Sequence, residues 1–162
     1  MIIKSLELAD FRNYDSLHID FSKGTNILYG DNAQGKTNIL EAIFLSATTK
    51  SHKGSKDKDI VNFAKEEAHI RTYLEKEEVE IRVDMHLRKN KTKGIAIDGQ
   101  KIKKAAELLG LLNVVFFSPE DLSIIKNGPS ERRRFVDMEL CQLDSFYIYN
   151  LNHYNKIVNQ RN

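Results

Sequence analysis

Cysteine is all but absent. Cys141 stands alone, so no intrachain disulfide can form, and a reducing, cytoplasmic setting is the natural expectation. Within Phe135-Val136-Asp137-Met138-Glu139-Leu140-Cys141 it reads as a packed helix residue rather than a nucleophile. No apolar run approaches the roughly 20 residues a membrane helix needs, and the N-terminus lacks the basic-then-apolar plan of a secretory leader. The five histidines show no metal-ligand spacing, so no zinc site is assigned. No sign of charge prevails: 30% of residues are charged and the net charge is +2, which alone argues neither for nor against nucleic acid. What remains is an ordinary polar–apolar balance, with 41% hydrophobic residues in 162, enough for one domain with part of a second.

Against that plain background one stretch stands out: Gly30-Asp31-Asn32-Ala33-Gln34-Gly35-Lys36-Thr37, the phosphate-loop pattern of Gly, four residues, Gly-Lys-Ser/Thr. At average residue usage a chain of this size shows it by chance roughly once in two hundred. Each part has a physical task. The glycines allow a tight turn that aims backbone N–H groups into one anion site. Lys36 carries a charge to the β- and γ-phosphates, and Thr37 offers a hydroxyl to Mg²⁺, a hard cation that prefers oxygen. The context is the required one. Ile27-Leu28-Tyr29 leads in as a strand, and Ile39, Leu40, Ile43, Phe44 and Ala47 follow at helical spacing, so a helix over 36–47 turns its positive end to the anion.

The rest of the chain supplies a sheet and further helices. Leu6 and Leu8, then Leu17, Ile19 and Phe21, alternate with polar residues as two half-buried strands joined through residues 11–14. Residues 48–58 form a polar surface loop. Strands are expected over 68–74, 79–87 and 95–97, the last closed by an Asp98-Gly99 hairpin turn. Residues 105–112 read as a short helix, and Val114-Val115-Phe116-Phe117 as a strand buried on both faces. Ser118-Pro119-Glu120-Asp121 has the makings of a helix start, with Asn127-Gly128-Pro129 as its stop. Ser130 is placed to cap the next helix, and Tyr147, Leu151, Tyr154 and Val158 mark an amphipathic one that runs to residue 162 without a stop.

Hydrolysis needs more than a phosphate loop. No second apolar strand ends in Asp, because Glu120 and Asp121 arrive late and read as helix caps. Guanine markers fail too: no Asp precedes Gly by three residues, and Asn155-Lys156-Ile157-Val158 lacks the closing aspartate of the guanine-reading motif. Basic residues cluster at Lys50, His52, Lys53, Lys56 and Lys58, at Arg132 to Arg134, and between Arg88 and Lys104, where seven stand against one acid, Asp98. Acids gather apart, at Glu66, Glu67, Glu75, Glu77, Glu78 and Glu80. Such polarity suits a binder of phosphate backbone, with Lys53, Lys56, Arg88, Lys89, Lys91 and Lys93 as candidate DNA contacts; a solvated hairpin tip explains part of it equally well. Without interleaved aromatics, backbone contact is expected rather than base stacking.

Four runs together resemble the RecF family of bacterial recombination-repair proteins: residues 11–14 (Phe-Arg-Asn-Tyr), 30–38, 117–122 (Phe-Ser-Pro-Glu-Asp-Leu) and 128–137. The resemblance spans the chain, and Ala33 stands where general ABC-type loops carry Gly, as in RecF relatives. It implies an α/β fold: an ABC-type P-loop ATPase head related to SMC proteins, lobe I having mixed and antiparallel sheet around the P-loop helix. By that resemblance residues 1–128 are lobe I, with strands within 1–30, the helix over 36–47 and antiparallel strands within 68–103. Residues 129–162 then begin a helical lobe II. Gly30 to Thr37 would hold Mg·ATP, with Arg12 and Asn13 near the nucleotide. The resemblance further implies an ATP-dependent homodimer and action with RecO and RecR at gaps and junctions between single- and double-stranded DNA. There such proteins help load RecA in recombinational repair, replication and the SOS response. Family members run to more than twice this length, so the chain is expected to be an N-terminal piece that binds ATP without hydrolysing it. Two other classes stay open on the residues alone. One is a self-sufficient small P-loop kinase, which phosphoryl transfer to a small molecule would favour. The other is a nucleic-acid-binding module indifferent to nucleotide, which DNA binding unchanged by Lys36→Ala would favour.

Overall fold

The computed structural model describes residues 1–118 and 128–161. Six strands form one antiparallel sheet: β1 (Ile2–Phe11), β2 (Tyr14–Asp20), β3 (Glu67–Lys76), β4 (Val79–Arg88), β5 (Gly94–Ile97) and β6 (Gln100–Lys101), ordered β2-β1-β3-β4-β5-β6. Short turns join all pairs except β2 to β3, which flank the phosphate loop and its helix. The register carries the core. Leu8 lies opposite Leu17 on one side and Ile70 on the other, Ile70 opposite Met85, and Val83 opposite Ile97. One face of this sheet is therefore a continuous apolar surface.

Helix α1 (Lys36–Thr48) covers that surface. Ile39, Ala42 and Leu45 pack into the core, whereas Leu40, expected in the stripe, is 42% exposed and Ile43 only half-buried. A fully buried leucine such as Leu45 contributes about 2 kcal/mol. Ser46 bonds Thr72 on β3 at 2.8 Å, pinning the helix in register over the sheet. The helix ends where Thr49 turns left-handed (φ 65°) and its N–H reaches the Leu45 carbonyl. The loop beyond is less of a surface feature than its polarity suggests: Thr49 and Ser51 are buried, and α2 (Asp57–Ile60) plants Ile60 in the core.

Further expectations change. Ile27-Leu28-Tyr29 is not a strand: no neighbouring strand pairs with it among the described residues, and Ile27 and Tyr29 are 77% and 90% exposed. The same holds for residues 114–117, an extended segment whose Val115 and Phe117 point to solvent. Over 105–112 a single 3-10 turn (Ala105–Glu107) and bends replace the helix. Helix α3 (Pro129–Leu143) begins at Gly128, with Pro129 in its first turn, so Ser130 lies inside it rather than capping it. The helix start expected at 118–121 lies largely outside the described residues. Helix α4 (Ser145–Arg161) forms as anticipated, with Tyr147, Ile148, Leu151 and Val158 on its sheltered side and Tyr154 outside it. Gln142 of α3 clasps both the N–H and the carbonyl of Val114, at 2.7 and 3.1 Å, tying the helices to the extended segment.

Candidate functional site

The phosphate loop lies directly before α1, and its shape is held from outside. Gly30 and Gly35 take φ of 142° and 98°, and Ala33 takes 66°. Gly35 has a second constraint. A Cβ there would stand 2.6 Å from the Tyr14 hydroxyl and 2.8 Å from the Asn13 amide, so any other residue strains the backbone and pushes those two side chains aside. That hairpin is the loop's backstop. Tyr14 Oη and Asn13 Nδ2 both donate to the Gln34 carbonyl, at 3.2 and 3.3 Å, and Asn38 Nδ2 on α1 donates to Asn13 Oδ1 at 2.8 Å. Burial pushes the Tyr14 phenol's pKa up, which keeps it a donor.

Several features fit a triphosphate with Mg²⁺. Lys36 Nζ folds over the loop and donates to the carbonyls of Gly30, at 2.7 Å, and Asp31, so its ammonium already sits on oxygens as it would on phosphate. The helix start has no side-chain cap and no acid in its first turn. Its leading N–H groups, which lack intrahelical partners, therefore present positive partial charge to an anion. Thr37 is exposed at the same end, where its hydroxyl is open to a cation.

Arg12 stands beside the loop with its guanidinium bound inward. It donates to both oxygens of Glu41 at 2.9 and 2.8 Å, to Ser55 Oγ at 2.8 Å, and to the Asp59 carbonyl at 2.7 Å. Glu41 is fully buried on α1 and also accepts from Ser51. Burial pushes its carboxyl up; the bonds from Arg12 and Ser51 and the charges of Arg12 and Lys53 outweigh that and hold it below the ordinary range. Arg12 thus braces α1 against the 51–60 segment, and Asn13 rather than Arg12 touches the loop.

A groove of about 920 Å³ opens beside Asn13 and Asn38, floored by Val61 and walled by Lys53, Lys58 and Lys89. Phe63 stands in it 98% exposed. Of the candidate DNA contacts, Lys53 and Lys89 face this groove, and Lys56 and Lys91 are exposed. Arg88 bonds the Thr92 carbonyl at 2.8 Å, and Lys93 is held by Thr49 O and Asp57 at 2.6 and 2.8 Å. The sequence reading missed Glu41, Tyr14, Asn38 and Phe63. For Glu41 a signal existed: it is the one acid in the helix, set among Ile39, Leu40, Ala42 and Ile43.

The AAA domain family's model matches residues 5–161. The chain is 69% identical over 162 residues to the DNA replication and repair protein RecF of Lachnoclostridium phytofermentans, covering all of this chain and 45% of that protein. It thus spans about half the length of the curated relatives it matches. Among solved structures, RecF bound to ATP, described as the recombination mediator of the RecFOR pathway, superimposes with a TM-score of 0.91 at 38% identity, over 96% of this chain and 43% of that one. A solved SMC ATPase, at 24% identity and TM-score 0.65 over 84% of this chain and 98% of that one, shares the fold. The architecture is that of a RecF- and SMC-type ATPase head, α/β with an antiparallel sheet. No helix among the described residues is long and apolar enough to cross a membrane.

Proposed function

The chain belongs to the AAA domain family, in its RecF branch, and on that premise we propose that it is the ATP-binding part of a DNA-repair head. The observation that carries this is the phosphate loop seated on an uncapped helix start and braced by Asn13 and Tyr14. Residues 30–37 hold the triphosphate, Lys36 neutralises it, and Thr37 ligates Mg²⁺. Asn13 positions the loop through the Gln34 carbonyl. The groove beside Asn38 takes the base and ribose, with the open face of Phe63 as the stacking surface.

The DNA role rests on the resemblance and on the basic rim of Lys53, Lys56, Lys89 and Lys91, with Arg88 and Lys93 adding charge; Lys53, Arg88, Lys89 and Lys93 each already bond a group within the fold. In the whole protein this head acts as an ATP-dependent homodimer in the cytoplasm, with RecO and RecR as partners at gapped or junction DNA. Residues 1–128 serve as lobe I and 129–162 as the start of helical lobe II.

Titration of the full-length protein with a fluorescent ATP analogue and Mg²⁺ tests the reading. Saturable binding is expected, weakened at least tenfold by Lys36→Ala while gapped-DNA binding in the absence of nucleotide persists. Nucleotide binding indifferent to that change would overturn it.

A further inference from the structure

On the sheet face turned away from α1, β3 and β4 bring two histidines together. His69 lies directly opposite His86 in the antiparallel register, and their rings stack with centroids 4.2 Å apart and planes 20° from parallel. Glu67 precedes His69 by two residues and so shares its face, while Ala68 and Ile70 between and beyond point into the core. His86 Nε2 and Glu67 Oε2 lie 2.6 Å apart. One ligand atom from each of Glu67, His69 and His86 falls within 4.8 Å of the others.

We propose that Glu67, His69 and His86 bind a divalent transition-metal ion, with zinc as the reference species. Two imidazoles and one carboxylate form a donor set that suits zinc, cobalt or nickel and disfavours magnesium and calcium, which prefer oxygen ligands. The site is thereby distinct in chemistry from the Mg²⁺ at Thr37. Bonds of about 2.0–2.2 Å in a tetrahedral arrangement place neighbouring ligand atoms roughly 3.3 Å apart. From the present spacing, side-chain rotation reaches that geometry. Both ends are free to turn, since Glu67 is 51% and His86 34% exposed. An ordinary His–Glu surface pair explains one histidine and its acid; it leaves the second ring, stacked face to face on the first, without a role. Three protein ligands leave a fourth position to water, and the bound ion clamps β3 to β4 beside the turn that carries Lys89.

Full-length protein freed of metal by a chelator, then titrated with Co²⁺ and displaced with Zn²⁺, tests this. Expected are one equivalent of Co²⁺ with ligand-field absorption, its loss on adding Zn²⁺, and no competition from Mg²⁺. His69→Asn and His86→Asn should each weaken uptake at least tenfold, as should Glu67→Gln, while His153→Asn on α4 leaves it unchanged. Unfolding midpoints of the metal-free variants, matched to the parent, establish that they fold. No cobalt uptake, or uptake equal in parent and His69→Asn/His86→Asn double variant, would overturn the site.

Discussion

The Arg12–Glu41 pair shows how a single charge can be structural rather than catalytic. Glu41 is fully buried with two oxygens bonded to Arg12 and a third contact from Ser51. Removing Arg12 would strand that carboxylate, a loss of about 3–5 kcal/mol for a broken buried pair. Arg12→Ala should therefore lower the urea midpoint sharply, and Glu41→Gln less so, because the amide keeps part of the bonding. The sign of the pH effect follows from the depressed carboxyl. Its stabilisation is complete above the ordinary glutamate value, about 4.3, and is lost as pH falls through the lower folded value. An acid titration of stability should be steeper in the parent than in Glu41→Gln between the ordinary glutamate value and the lower folded value, and equally steep below both. Gly35 makes the complementary case, a residue whose constraint is functional. At φ 98° and with Tyr14 Oη 2.6 Å from its missing Cβ, Gly35→Ala strains the loop backbone and pushes aside the Tyr14 and Asn13 side chains that brace the Gln34 carbonyl. ATP affinity should fall at least tenfold, measured by analogue titration, with little change in unfolding midpoint because the loop is exposed.

At the scale of elements, turns decide as much as strands. The β3–β4 hairpin turns on Glu77 and Glu78, both left-handed at φ 52° and 66°, where a two-residue turn favours Asn-Gly. Glu75 also faces Glu80 across the pair. Changing Glu77→Asn with Glu78→Gly should stabilise the protein by about 1 kcal/mol, read as a raised urea midpoint at unchanged slope. The strands on either side of this turn were legible from the alternation of Val79, Ile81, Val83, Met85 and Leu87, since half-burial writes itself into period two. Asp98-Gly99 was legible because its left-handed pair demands small or polar residues, and α1 because the phosphate loop fixes where it starts. Ile27–Tyr29 and 114–117 were misread for a common reason: an apolar run says that a segment wants burial, while a strand also needs a partner to bond. Arg12, Glu41 and the His69–His86 pair were hidden for another reason. Arg12 lies 29 residues from Glu41, and His69 meets His86 only through strand register, so the sheet must be assembled before either contact exists. The loop's chemistry was local and therefore readable; its bracing by Tyr14 and Asn38 was tertiary and was not.

For the whole molecule the open question is what its uncovered apolar surface meets. Ile27, Tyr29, Val115 and Phe117 lie on extended segments flanking the phosphate-loop helix, and Leu143, Phe146 and Tyr149 face outward from α3 and α4. The chain spans 45% of its RecF relative from Lachnoclostridium phytofermentans, and a protein of that length has more polypeptide with which to pair them. Hydrogen exchange should detect the pairing. Amides of residues 27–29 and 115–117 should exchange rapidly in the 162-residue chain by itself and be protected at least a hundredfold in a protein of the relative's length. Activity should divide the same way. These residues carry the proposed triphosphate cradle, yet no described strand delivers an acid beside Thr37, the ligand proposed for magnesium, and positioning the metal and the attacking water is what turns binding into hydrolysis. The 162-residue chain should bind Mg·ATP without turnover above the rate of Lys36→Ala, measured by phosphate release. Magnesium-dependent turnover by that chain, lost in Lys36→Ala, would mean that the missing acid lies within these residues, and the division of labour proposed between this part and the rest of a longer head would fall.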